Sequence, residues 1–448
     1  MTPHPSGETR AGGSGPGRLL WLGTNRFWYS WGMSEHGTPG GGRWPVRVLG
    51  ADAWQAFIDV DSHAFGTTFP VEIGESERPY FGLGRDIGAY DGDTLVGIAN
   101  AYEFDLTVPG GTVPAAGVSW VGVLPTYRRR GVLSSLMSSQ LTSLHEQGKE
   151  PVAALWASEP QIYGRYGYGL ATRHWSATVP RGATALLPDA PADDRLRLRL
   201  VPADDWSLTA PLYDAVAPTR PGMFARDERW WTRAVRDDES MRQGRSALRC
   251  VVAEDDGGVR GYSRYATKAS FGADFGQGVV VVREVMAADP ATLATLYRYL
   301  FDLDLMGSTE LWNLPVDDPL VHWLTNPRRA KPETGDAVYV RLVDVDRALA
   351  ARTYAADVDV VLDVTDTRCP WNAGRWRLTG STDGATCRRT DDAAGLALDV
   401  RELGAAYLGS TSLVELAAAG RVQGSAEAVR AAATAFAHSP AAWCPVVF

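Results

Sequence analysis

Cysteine is scarce in this 448-residue sequence: Cys250, Cys369, Cys387 and Cys444 are its four, and no two share a Cys-x-x-Cys spacing. Neither a disulfide framework nor a cysteine zinc site can organise such a chain, and a reducing cytoplasm fits this usage. The seven histidines form no His-Glu-x-x-His or similar grouping, so no metal is expected. No apolar run approaches the roughly 20 residues that cross a bilayer, and no membrane partner is expected. Basic residues hold no surplus: 44 Lys and Arg stand against 53 Asp and Glu, a formal charge of −9. That balance argues against nucleic acid, because phosphate binding needs a basic face. It suits a cationic substrate, although many soluble proteins are mildly acidic.

What is present describes a globular chain, 45% hydrophobic and 22% charged. Its length predicts two or three domains. Residues 1–45 are rich in Gly, Pro and Ser and read as a disordered tail, within which Met33 is a plausible alternative start. Leu19-Leu20-Trp21-Leu22 is broken too soon by Gly23 to make a signal sequence.

Regular structure is expected from Val46. Trp54–His63 has helical spacing, and Ile87–Tyr90 and Leu95–Ala99 flank Asp91-Gly92, a strong hairpin signal. Gly117–Leu124 reads as a strand buried on both faces. It runs into Tyr127-Arg128-Arg129-Arg130-Gly131, then a helix through Leu133, Leu136, Met137, Leu141 and Leu144 that Gly148 ends, then a strand at Val152–Ala157. A similar order recurs: a hairpin (Cys250–Ala253, Val259–Tyr265), a strand (Val279–Val285), a helix (Leu293 to Leu300) and a strand (Glu310–Leu314). A duplicated α/β module is indicated. Its second turn, Met286-Ala287-Ala288-Asp289-Pro290, has lost the arginines and the glycine, so this copy should not bind an anionic cofactor. From Val338 strands alternate with alanine-rich helical segments, as in an α+β unit, and the apolar end Trp443–Phe448 reads as docked.

A strand that ends in Arg-Arg-Arg-Gly and opens a helix makes an anion site. Unpaired N–H groups point outward, Gly131 lets a ligand approach the backbone, and arginines add charge-assisted hydrogen bonds. Taken alone, the motif reads first as a solvated basic helix start; the strands before and after it shift the balance to an anion site.

With its flanking strands it resembles the cofactor motif of the GNAT acetyltransferase superfamily, Arg/Gln-x-x-Gly-x-Gly/Ala, with Arg128 and Gly131 at the first two fixed positions and Leu133 departing at the last. Pro125–Gly131, Val152–Glu159 and Ile162-Tyr163-Gly164-Arg165-Tyr166-Gly167-Tyr168-Gly169 are together similar to the Eis (enhanced intracellular survival) family of actinobacteria, which also carries a bulky residue there. The resemblance is dense over residues 95–175 and collinear to the end. It implies an α/β and α+β architecture: a GNAT acetyl-CoA-binding domain (46–185), a degenerate GNAT domain (186–335) and a sterol-carrier-like domain (336–448), assembled as a cytoplasmic homohexamer.

The resemblance also implies roles. Val121, Gly122 and Val123 would lie along the pantetheine arm of acetyl-CoA. Arg129, Arg130, Gly131, Val132, Leu133 and Ser134 would wrap its pyrophosphate, with Ser158 and Glu159 beside the acetyl end. Tyr163 would be general acid and the terminal carboxylate of Phe448 general base. By itself Tyr163 reads first as an aromatic packed among Tyr166 and Tyr168, and Phe448 equally as a buried chain end. The chemistry is sound: a tyrosine, pKa about 10, stays protonated and can donate to sulfur, while an α-carboxylate can orient an ammonium and relay its proton. The implied reaction is direct transfer of acetyl to a primary amine of an aminoglycoside-like, polyamine or lysine acceptor. No cysteine lies in the first module to carry an acyl group. Phe65–Phe69 and Val446-Val447 lack the acids that the family often places near the acceptor, a loss that Glu75 or Glu77 could offset. The competing reading is a non-catalytic carrier or sensor that binds an apolar ligand in its last domain.

Overall fold

The chain's first amphipathic stretch forms a helix because its apolar residues share one face. After β1 (Val46–Val48), α1 (Trp54–Phe65) buries Trp54, Phe57, Ile58, Val60 and Asp61, and left-handed Gly66 stops it. A computed structural model describes residues 44–68, 70–181, 186–270 and 276–448. Residues 1–43 of the expected tail, and Phe69, lie outside the described residues; Trp44, near the tail's end, is held through its backbone N–H on Ser135 Oγ (3.1 Å) and its Nε1 on the Arg130 carbonyl (2.8 Å).

Next come α2 (Val71–Glu77), β2 (Ile87–Asp91) and β3 (Thr94–Val108), the last two paired antiparallel as the Asp-Gly turn predicts. β4 (Gly111–Val123) leads to α3 (Val132–Gln147), whose Val132, Leu136, Met137, Leu141 and Leu144 are buried. Each such side chain contributes about 1.5–3 kcal/mol of burial. Gly148 ends the helix in the left-handed conformation, its N–H on the carbonyls of Leu144 and His145. β5 (Val152–Trp156), α4 (Pro160–Tyr163) and β6 (Gly169–Leu170) follow.

The second module holds β7 (Arg173–Pro180), β8 (Arg197–Val201), α5 (Ala210–Val216), α6 (Glu228–Val235), β9 (Arg249–Asp255), β10 (Gly258–Lys268), β11 (Gly278–Ala287), α7 (Pro290–Phe301), β12 (Met306–Pro315), α8 (Leu320–Trp323) and β13 (Glu333–Asp336). The predicted repeat is therefore present in hairpin, strand, helix and strand. Then come β14 (Val338–Leu342), α9 (Val345–Ala350), β15 (Val358–Thr365), β16 (Gly374–Ser381), β17 (Gly384–Arg389), β18 (Leu396–Asp399), α10 (Val400–Ala406), α11 (Leu413–Ala418), β19 (Val422–Gly424) and α12 (Ala426–Phe436).

Among the described residues three sheets result, ordered β1-β2-β3-β4-β5-β14-β6, β13-β7-β12-β11-β10-β9-β8 and β17-β16-β15-β18-β19. They do not partition the chain into consecutive blocks. β7 precedes the expected boundary at 185 yet pairs with β12 and β13 in the second sheet, and β14 follows the boundary at 335 yet pairs with β5 and β6 in the first. The third sheet's apolar side is filled by Leu362, Trp376, Leu378, Leu396, Val429 and Phe436, which an apolar ligand would have to displace.

The third unit docks on the first sheet through glycines. A Cβ on Gly169 would stand 1.9 Å from the Arg401 carbonyl of α10, and one on Gly404 would stand 2.1 Å from the Val340 carbonyl of β14. Beside this contact Arg341 is fully buried with its Nη2 on Asp366 (2.5 Å).

Candidate active site

β4 and β5 run parallel and pair only from Ala115–Val118 to Val152–Leu155. Beyond Val118 the two strands part. Trp120 has a positive φ of 53°, and the β3–β4 register slips between Ile98 and Asn100, so β4 carries one extra residue there, a bulge. Gly122 and Val123 still pair with β3, which leaves the far edge of this stretch without a strand. The expectation of a strand buried on both faces thus holds through Val118; Val121 and Val123 are half-buried, β5 having ended at Trp156. An edge of free amides and carbonyls is what an amide-bearing arm needs for pairing.

The turn below it is built around two left-handed residues, Arg129 (φ 61°) and Gly131 (φ 84°). Gly131 is the N-cap of α3 and gives no side-chain cap, so the first N–H groups of a 16-residue helix are left open. Its Ser135 N–H already bonds the Gly131 carbonyl (3.1 Å). The three arginines differ. Arg128 is committed to the Ala64 carbonyl at the end of α1 (2.6 Å). Arg130 lies over the rings of Trp44 (5.2 Å) and Tyr127 (4.7 Å), a guanidinium fixed between two aromatics. Arg129 is exposed and forms no ion pair with a described residue. Trp44, Pro45, Val46, Ser135 and Ser139 line a hollow of about 230 Å³ alongside.

Tyr163 ends the short α4 and is buried with Tyr166, Tyr168, Val118 and Leu155. Burial, with the charge of Glu159 second and Tyr166 third, pushes its pKa upward, so the hydroxyl stays protonated. Ser158 and Glu159 are exposed before it, and Ser134 Oγ meets the Tyr166 hydroxyl at 3.1 Å, which ties the start of α3 to this tyrosine cluster. Cys369, from the third unit, enters the same cluster; burial pushes its thiol up, so it stays protonated and is a poor nucleophile.

The last residues reach both modules. Trp443 Nε1 donates to the Asn313 carbonyl of β12 (2.9 Å), and Asn313 Nδ2 donates to the Cys444 carbonyl (2.9 Å). Two residues on, the Val446 carbonyl accepts from Trp156 Nε1 at the end of β5 (2.9 Å). The Phe448 ring meets Phe104 (4.7 Å) and Phe224 (6.1 Å), edge to face. Phe104 continues to Trp230 (5.1 Å) and Tyr102 (6.3 Å), and the Tyr102 hydroxyl accepts from Trp120 Nε1 (2.7 Å). An aromatic wall therefore joins the terminal residue to the bulge of β4. The apolar end is docked, as its composition predicts.

The acids expected to offset the missing carboxylates are engaged elsewhere. Glu77 is bound by Arg236 (2.7 Å) and approached by Arg233 (3.6 Å), both from the second module. Glu75 is exposed beside Arg78 (3.6 Å). Three residues that sequence reasoning missed are Trp120, Arg233 and Asp61. Asp61 is 3% exposed on the face of α1 that carries Phe57, whose ring meets Trp120 at 5.6 Å. Its only early signal was a charged residue at an apolar position of the helical spacing.

At the matching turn of the second module the carboxylate of Asp289 caps α7, accepting from Thr292 N and Oγ1 (2.9 Å each) and from Arg260 (3.1 Å). An anion is already built into that helix start. Among the described residues no His, Cys, Asp and Glu group could hold a metal, and no helix is long and apolar enough to cross a membrane.

Residues 45–171 and 222–342 each match a family described as an acetyltransferase (GNAT) domain, and residues 345–445 match a sterol carrier protein domain. An uncharacterized N-acetyltransferase of Streptomyces avermitilis is 47% identical over 89% of this chain and 98% of its own length. The N-acetyltransferase Eis of Mycobacterium tuberculosis is 33% identical over 85% of this chain and 90% of its own. The crystal structure of Eis1 from Mycobacterium abscessus superposes with a TM-score of 0.76 at 34% identity, covering 90% of this chain and all of that one. With two regions matched as GNAT domains, a third matched as a sterol carrier domain, and relatives this similar over most of both lengths, the chain belongs to the Eis family of GNAT N-acetyltransferases.

Proposed function

We propose that this enzyme moves acetyl from acetyl-CoA directly to a primary amine in the cleft between β4 and β5. The single observation that carries the reading is the unpaired edge of β4 directly above the bare start of α3. The backbone of Val121, Gly122 and Val123 pairs with the pantetheine amides. The N–H groups of Gly131, Val132, Leu133 and Ser134, with Arg129 and the end of Arg130, hold the pyrophosphate. Ser158 and Glu159 flank the acetyl end. Bound there, acetyl-CoA supplies a carbonyl activated as a thioester. The Phe448 carboxylate orients the acceptor ammonium and takes its proton, and the Tyr163 hydroxyl gives a proton to the departing sulfur. Direct transfer is supported by the protonated state of Cys369, the one cysteine near the tyrosines.

The acceptor belongs to the class of primary amines that includes aminoglycosides, polyamines and lysine side chains. The working assembly is a homohexamer in the cytoplasm. Initial rates at varied acetyl-CoA and amine test the reading: intersecting double-reciprocal lines are expected, and parallel lines contradict direct transfer. Calorimetry should find CoA binding that Arg129→Ala weakens by about tenfold. Binding of apolar ligands without binding of CoA would favour the carrier reading instead.

A further inference from the structure

Through the aromatic wall beside the terminal residue runs a buried polar chain, and it ends at the bulge of β4. It starts on α2. Glu77, 4% exposed, gives Oε1 to Arg236 (2.7 Å) and turns Oε2 toward Nη1 of Arg233 at 3.6 Å, so the Arg233 guanidinium is neutralised in place. Nη1 carries two hydrogens, and its other neighbour is the Tyr102 hydroxyl at 3.2 Å. That hydroxyl also meets Trp120 Nε1 at 2.7 Å. A guanidinium and an indole N–H can only donate, so the phenol oxygen accepts from both. Segments far apart in sequence (α2, α6, β3 and β4) are tied in a row through Glu77, Arg233, Tyr102 and Trp120.

Trp120 stands at the lip of the cleft. β4 and β5 last pair at Val118 and Leu155, so Trp120 is two residues further along one lip and Ser158 three along the other. Its φ of 53° is one that a bulky residue keeps only where its surroundings over-determine it. Its ring lies against Phe57 of α1 at 5.6 Å, and the Tyr102 hydroxyl fixes the indole N–H. On the reading that the β4–β5 cleft transfers acetyl, we propose that Tyr102, held by Arg233 and Glu77, is a positioning residue for that reaction: it orients Trp120 and so sets the lip that receives the acetyl end. Buried charges are a poor source of stability beside apolar side chains of the same volume. A chain of directed hydrogen bonds does give one fixed geometry. The grip on the pyrophosphate, at the start of α3, lies outside this chain and is independent of it.

The test measures kcat of the full-length enzyme with whichever of kanamycin, spermidine and lysine amide releases CoA fastest, and the Kd of CoA by calorimetry. Tyr102→Phe keeps the ring and removes only the shared oxygen. It should lower kcat by about tenfold, as a small misplacement at a reacting centre does, and leave the Kd of CoA within about twofold. Because Tyr102 acts through the indole, the same change in a Trp120→Phe background should lower kcat by less than about twofold. Arg233→Met, which keeps an apolar stem against the rings of Trp230 and Tyr102, should lower kcat in the parent and add nothing to Tyr102→Phe. That second cycle decides the matter where Trp120→Phe alone has no measurable turnover. An unchanged kcat in Tyr102→Phe overturns the inference and leaves acetyl transfer standing. So do losses that multiply in either cycle, or a Kd for CoA that weakens in step with kcat, since general loosening would give both. Failure of every amine to release CoA from the parent enzyme, with CoA still bound, overturns acetyl transfer and this inference together.

Discussion

Tyr163 is kept neutral by its surroundings: burial first, then the negative charge of Glu159, both oppose its ionisation. A phenol in that state can donate a proton but cannot accept one, which suits the leaving-group side of a thioester transfer. Tyr163→Phe should lower kcat by about a hundredfold while the KM for acetyl-CoA moves by no more than about threefold, as read from initial rates. An unchanged kcat removes Tyr163 from the reaction. Asp61 titrates in a different range. Burial alone pushes it up to about 7. Because the folded pKa lies above the unfolded value near 4, the folded protein keeps a proton that the unfolded chain releases between pH 4 and 7. Stability from this group is complete below pH 4, falls as pH rises through that window, and is lost above 7, a swing on the order of 4 kcal/mol at most. Asp61→Asn should therefore raise Tm at pH 8 more than at pH 5. An equal shift at both pH values in thermal scans would refute the assignment.

At the scale of elements, close approach of backbones decides what can change. Gly169 of β6 leaves no room for a methyl group, since α10 presents the Arg401 carbonyl 1.9 Å and the Ala405 nitrogen 2.4 Å from its Cβ position. Backbone cannot rotate aside as a side chain can. Gly169→Ala should cost roughly 3 kcal/mol or more and lower Tm by several degrees, measured by calorimetry. The contact was invisible in the sequence, although Gly169 stands in the tyrosine-glycine motif that resembled the family. Local features were legible: the Asp91-Gly92 hairpin, the span of α3, its stop at Gly148 and the loss of the arginine turn at Asp289 each follow from residues a few positions apart. Partners far along the chain were not. Nothing near Glu77 announces that Arg236 will bind it, so sequence left it as a free acid for the acceptor. Likewise the period-2 pattern of Val338–Leu342 shows a strand but cannot name the sheet that takes it.

For the whole molecule, the exchange of β7 and β14 between units sets what can stand alone. A fragment of residues 46–185 would lack β14, leaving β5 and β6 without the partner between them, and would carry β7 as an unpaired strand. It is expected to aggregate on expression, with no cooperative melting, whereas residues 44–448 should melt as a folded protein. A soluble fragment with a sharp transition would show the first sheet to be self-sufficient. The same exchange has a temporal side. On a ribosome the N-terminal sheet must wait for the whole second module to be translated before Val338–Leu342 emerges, roughly ten to forty seconds at ordinary elongation rates. During that interval the exposed edge of β5 is open to wrong partners, so a slow stretch of message between the two modules would harm the yield of folded enzyme rather than help it.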